Sequence, residues 1–252
     1  MKTKLSISNP FGYSRYAFAF EHIESGMKCL DYGCYDGNFM NRVKKHKNVD
    51  FMGVDKNRRI ISENPHKLNL MHIIDKLPFQ NESYDCVTLL DVLEHIYDQD
   101  FVLREINRVL KIGGTLILTV PKKHVFSFLD MKNLSFIFPK LSKWFLCQLY
   151  SKKDYEDWYV NNPNGLIGDV EKEKSWHQHF SKPVLKRLLQ RNGFAVEMFD
   201  GSGLFQRVFI LFDFLKGGFL FPKRLRSLDC QKFEQMSLFC RASKVDEIMT
   251  KL

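Results

Sequence analysis

The segment Cys29-Leu30-Asp31-Tyr32-Gly33-Cys34-Tyr35-Asp36-Gly37 has the composition of a ligand-binding turn. A short apolar run ends on an acid and enters a bend carrying two glycines. Gly33 and Gly37 let the backbone approach a ligand closely, and a helix opening after Gly37 would offer free N–H groups. The dinucleotide pattern GxGxxG is absent, because Cys34, Tyr35 and Asp36 follow Gly33. About 20 positions beyond this turn, Asp55 ends the run Phe51-Met52-Gly53-Val54, where a carboxylate can accept hydrogen bonds from both hydroxyls of a ribose. Alone, Asp55 reads as a surface-loop acid; its spacing from the glycine turn gives it the ligand role. Asp91, Glu94 and His95 follow at i, i+3 and i+4, which on a helix is one face and a spacing able to bind a divalent cation.

Such groups need a scaffold that brings strand ends together. Apolar runs at 28–31, 51–55, 70–74, 84–89 and 115–120 read as strands. Helices are predicted over 13–25, 37–47, 57–62, 91–95 and 99–110, the last carrying an apolar stripe that stops at Gly113-Gly114. After an irregular stretch, a helix over 182–192 closes at Gly193, and strands follow at 195–199 and 236–241. Alternation of this kind implies βαβ units and a mostly parallel sheet covered on both faces. The chain has 252 residues, 44% hydrophobic and 27% charged, enough for one sizeable core and unlike a disordered chain. Its six cysteines include no CxxC pair, so buried reduced thiols are expected rather than a zinc knuckle or disulfide framework.

Four further ordered segments give these elements a family character. They are Leu77-Pro78-Phe79 running to Tyr84-Asp85-Cys86-Val87; Leu90-Asp91 with Glu94-His95-Ile96; Arg108-Val109-Leu110-Lys111-Ile112-Gly113-Gly114; and Thr119-Val120-Pro121. With the glycine turn, this chain resembles the class I S-adenosylmethionine-dependent methyltransferases, in particular their small-molecule branch. His177 to Ser181, Leu188-Leu189 and Gly193-Phe194 match the second half of that pattern. The resemblance implies an α/β, Rossmann-like, seven-stranded mostly parallel sheet with helices on both faces. One domain over 1–252 would carry two aromatic-rich insertions, at about 122–175 and 201–232, forming a lid. It implies S-adenosyl-L-methionine as cofactor, with Asp31, Gly33 and Gly37 lining the methionine end and Asp55 holding the ribose. Leu90 and Asp91 would close the floor beside the sulfonium, and Asp75, with His72 as competitor, would meet the adenine amine. Two departures stand out: Ile112 where the family has proline, and Tyr35 where it has a glycine or a smaller residue. The first is harmless, whereas the second places a bulky side chain at the cofactor loop and leaves open a non-catalytic protein of the same fold.

Methyl transfer is an in-line displacement, and a general base is needed only where the acceptor loses a proton as it reacts. His95 is the first candidate, with His177 and His179 behind it; His95 equally reads as a residue packed on the fourth strand. The expected acceptor is a small molecule or a cell-surface glycan precursor, methylated at oxygen. The glycan reading comes from Val125 to Pro139, which resembles an insertion of polysaccharide-synthesis methyltransferases. A quinone-type O-methyltransferase with a divalent metal is the alternative, because such enzymes use a similar acidic-plus-histidine cluster. The N-terminus lacks the apolar region of a signal peptide, so a cytoplasmic protein is expected. Net charge is +9, and 23 phenylalanines stand in the chain. The Phe-rich stretch 203–221 is followed by the basic run Lys223-Arg224-Leu225-Arg226. It reads either as lid core or as an element in peripheral contact with an anionic membrane. Nucleic acid is not expected as a partner, because no recognition module accompanies the basic residues.

Overall fold

Successive residues of the strand segments are apolar because both faces of the sheet are buried. In the computed structural model, which describes residues 10–11, 14–123, 138–149, 152, 178–202 and 237–246, Cys29, Cys86 and Ile117 point to one core. Their chain neighbours Leu30, Val87, Leu116 and Leu118 point to the other. The first core is completed by Phe18 and Ile23 together with Phe39, Met40 and Val43, and the second by Leu103, Ile106, Leu185 and Leu189.

The elements run in order α1 (Arg15–His22), β1 (Lys28–Tyr32), α2 (Asn38–Lys44), β2 (Asp50–Asp55), α3 (Arg58–Glu63), β3 (Leu70–His72) and β4 (Tyr84–Leu90). A 3-10 turn (Leu93–His95), α4 (Gln99–Val109), β5 (Leu110–Pro121), α5 (Pro139–Leu149), α6 (Lys182–Arg191), β6 (Phe194–Ser202) and β7 (Ser237–Lys244) complete them. Seven strands form one sheet in the order β3-β2-β1-β4-β5-β7-β6, parallel except for β7, which is antiparallel to both neighbours. Strand order reverses between β1 and β4, so the ligand crevice of such a sheet lies at their carboxyl ends. The expected fold class is therefore present. Of the two insertions only 122–123, 138–149 with α5, 152 and 201–202 are among the described residues, and the basic run 223–226 lies outside them.

Three local expectations are corrected. Residues 91–95 are not one helix: Asp91 has a left-handed backbone (φ 56°) and only Leu93–His95 form a short 3-10 turn. The helix predicted over 99–110 ends at Val109, and Gly113-Gly114 lies inside β5 rather than at a helix stop. Leu110 is fully buried because it pairs with Tyr84 in the sheet, which is why it joins the apolar stripe without belonging to the helix. β3 stops at His72, two residues before the expected end.

Two of the family-like segments turn out to hold each other. Arg108 donates to the carbonyl oxygens of Leu77 (2.9 Å) and Phe79 (2.7 Å) and to both oxygens of Glu105, while Glu105 accepts from the Leu77 N–H at 3.0 Å. The Arg108 contacts keep the Glu105 carboxyl below its usual range. Glu105→Ala strands a buried N–H and a guanidinium, so urea denaturation is expected to show a loss of about 2–3 kcal/mol. An unchanged urea midpoint would show that this clamp is dispensable.

Candidate active site

The turn between β1 and α2 is shaped by backbone needs that the sequence met with glycine. Gly33 is left-handed (φ 81°), and a Cβ there would lie 2.4 Å from Val92 Cγ2. Gly37 (φ 77°) would place a Cβ 2.7 Å from Leu68 Cδ1, so the turn also packs tightly against the approach to β3. Tyr35 adopts the same left-handed region at φ 50°, without the freedom of glycine. Its side chain is 44% exposed and so is not a core residue. The N–H of Asn38 donates to Asp36 Oδ1 at 2.9 Å, which settles the start of α2.

Asp55 anchors this turn from the end of β2. Its Oδ2 accepts the Tyr35 N–H and its Oδ1 accepts the Asn57 N–H, both at 2.8 Å, and the residue is buried. A carboxylate has about four lone-pair sites. Two remain for ligand hydroxyls, in keeping with a ribose. Asp31 lies one strand over and is buried. Its Oδ1 accepts from the Thr88 hydroxyl at 2.6 Å, across the β1–β4 pair. Burial, with the nearby charge of Asp55 added and the Thr88 bond opposing, pushes the Asp31 carboxyl up to about 7. The same burial raises the Cys34 thiol, so Cys34 is not a nucleophile here. A desolvated carboxylate favours a cation beside it.

Asp91 closes the opposite wall, after β4. Its backbone N–H and its Oδ1 both engage the Thr119 side chain, and its Oδ2 pairs with Arg15 of α1. The amino-terminal helix is thus tied to the crevice. The one-helix-face arrangement of Asp91, Glu94 and His95 is overturned, since Asp91 precedes the 3-10 turn and its carboxylate already serves Arg15 and Thr119. Among the described residues, no three of His, Cys, Asp and Glu gather as metal ligands. Glu94 and His95 are both buried, with His95 Nε2 3.9 Å from Glu94 Oε1.

The remaining expected residues are spread along the same edge. Leu90 is part-buried at the end of β4, and Asp75 is exposed after β3. His179 is half-buried beside Phe180, which pairs with the end of β5 through Phe180 N–H to Pro121 O (2.8 Å) and Lys123 N–H to Phe180 O (2.8 Å). Gln99 donates both to Leu93 O (2.9 Å) and to Gln178 Oε1 (2.8 Å), linking the His95 turn to the His179 segment. His177 lies outside the described residues. Sequence reasoning passed over Thr88, Thr119, Arg15 and Gln99. Thr88 and Thr119 each left a signal, as a polar residue inside an apolar buried run of its strand.

Glycines that a Cβ would block, a ribose-type carboxylate and a desolvated carboxylate for a cationic tail together suit S-adenosylmethionine. Residues 12–198 match the family described as a methyltransferase domain. The demethylmenaquinone methyltransferase of Staphylococcus haemolyticus is 27% identical over 185 residues, 69% of this chain and 70% of that one. The Staphylococcus saprophyticus protein of the same name is 28% identical over 196 residues, covering 72% and 77%. The crystal structure of an S-adenosylmethionine-dependent methyltransferase from Mesorhizobium loti shares the fold, with a TM-score of 0.54, 15% identity and coverage of 92% and 99%. No helix among the described residues is long and apolar enough to cross a membrane. With the family domain spanning most of the chain, the molecule belongs to the methyltransferase-domain family and is a class I S-adenosylmethionine-dependent methyltransferase of the small-molecule type.

Proposed function

We propose that this methyltransferase acts on an ionisable oxygen of a small-molecule acceptor, with His95 as general base and His179 assisting. The cofactor supplies an electrophilic methyl group on a sulfonium; the chain's own task is to place the acceptor and receive its proton. The observation that carries this reading is the meeting of two imidazole-bearing segments at the carboxyl ends of the adjacent strands β4 and β5, bridged by Gln99. Beside His95 the Glu94 carboxylate stabilises a developing imidazolium, and burial of both keeps competing water away.

For the acceptor itself, a quinol-type ring is supported by the names of the staphylococcal relatives. A glycan precursor is supported only by residues 125–139, of which 125–137 lie outside the described residues. The test is methyl transfer to a demethylmenaquinol analogue and to a nucleotide-sugar acceptor, with the methylated atom located by NMR. His95→Gln is expected to lower kcat about 100-fold with little change in the KM for S-adenosylmethionine, and to flatten the pH–rate profile. An unaltered kcat in both His95→Gln and His179→Gln would remove proton abstraction by these residues from the mechanism.

A further inference from the structure

Tyr35 is the residue of the crevice that the fold does not explain. Its left-handed backbone opposes an L side chain, and such outliers persist at sites where function holds them. Its N–H bond to Asp55 would be made equally by glycine. Its ring is 44% exposed, so packing does not offset the strain. Its backbone N–H is fixed on Asp55 Oδ2 at 2.8 Å, which stations the residue at the end of β2, beside the carboxylate whose two remaining lone pairs suit ribose hydroxyls. Ile74, 70% exposed just past β3, gives further apolar surface on that edge.

We infer that Tyr35 is a positioning residue for the cofactor, an aromatic flap that lies against its nucleoside half. The inference concerns cofactor retention and holds whatever the acceptor is. A planar aromatic side chain suits a purine nucleoside because any base presents a π-face to it. The bound cofactor would be released more slowly than from a glycine-bearing turn.

Calorimetry on the full chain tests this with S-adenosylhomocysteine and with adenosine as separate probes. Tyr35→Gly, which gives the turn its preferred residue, is expected to bind both about tenfold more weakly, a change of about 1.4 kcal/mol in each. Tyr35→Phe is expected to stay within about twofold of the parent, because the ring is kept. Melting curves of the ligand-free proteins check that both variants are folded; should Tyr35→Gly fail to fold, Tyr35→Leu, which keeps bulk and loses the ring, takes its place with the same expected loss. Equal or tighter binding by the ring-less variant overturns the inference. A loss confined to S-adenosylhomocysteine, with adenosine unaffected, overturns it as well by moving Tyr35 to the methionyl half.

Discussion

Asp31→Asn is expected to stabilise the ligand-free protein while weakening its hold on the cofactor. The sign follows from burial. With its carboxyl pushed up to about 7, native Asp31 keeps a proton that the unfolded chain, with an ordinary aspartate near 3.9, has released. Between these values the folded state binds more protons than the unfolded one, so this group's contribution to stability falls as pH rises, and the full cost is felt above about pH 7. Asparagine carries no charge and still accepts from the Thr88 hydroxyl. The gain in unfolding free energy should therefore grow by up to ~1.4 kcal/mol per pH unit from about pH 4 to 7 and then level off. Cofactor binding runs the other way. The α-ammonium group of the ligand's amino-acid end favours an ionised carboxylate beside it, so wild-type affinity for S-adenosylhomocysteine should rise by up to about tenfold per pH unit toward pH 7, with proton release. In Asp31→Asn the affinity should drop about 30-fold at pH 8, the ~2 kcal/mol of a hydrogen bond to a charged group, and lose its pH slope. Calorimetry in two buffers of different ionisation enthalpy measures the proton directly. Identical slopes in the two proteins would show that Asp31 does not face the ligand's charge.

That Asp31 matters was legible from the strand–turn pattern, but its protonation was not. Its state depends on burial between β1 and β4, with the hydroxyl of Thr88, 57 residues away in sequence, opposing the shift. Local patterns transmitted well wherever the cause was local. Gly33 and Gly37 were read as turn glycines, and both have the left-handed backbone that only glycine adopts without strain. Periodicity failed at the junctions. Leu110 belongs to β5 because of its partner Tyr84, and a stripe count cannot see a partner on another strand. The supposed metal face failed for a related reason: i, i+3, i+4 spacing means one face only if the segment is helical, and Asp91 is held in a left-handed turn by Thr119. Arg15 was invisible as a site residue because its meaning comes from Asp91, reached only when α1 folds back over the sheet. Tyr35 stands out in the sequence as a bulky side chain at the cofactor loop; that its backbone N–H ties the loop to Asp55 is visible only in the fold.

Asp55→Asn should be the most damaging single change to cofactor binding, because this carboxylate does two jobs with the same oxygens. Each oxygen already accepts a backbone N–H at 2.8 Å, one from the β1–α2 turn and one from the start of α3. The amide replaces one acceptor by an NH2 group, so either Tyr35 or Asn57 faces a donor instead of an acceptor, in a buried place. That alone should cost about 1–3 kcal/mol of stability. The ribose loses a charged acceptor for two hydroxyls, each such bond being worth roughly 1.5–3 kcal/mol, so affinity for S-adenosylhomocysteine should fall at least about 100-fold. Destabilisation and direct contact are separable with a ligand that lacks the 2′-hydroxyl. Wild type should discriminate against the 2′-deoxy analogue by at least about tenfold, because the site's buried acceptor is then left unpaired. Asp55→Asn should bind the two ligands alike. If the variant still discriminates between them, the ribose hydroxyl is read by another group, and Asp55 serves only to hold the turn that carries Tyr35.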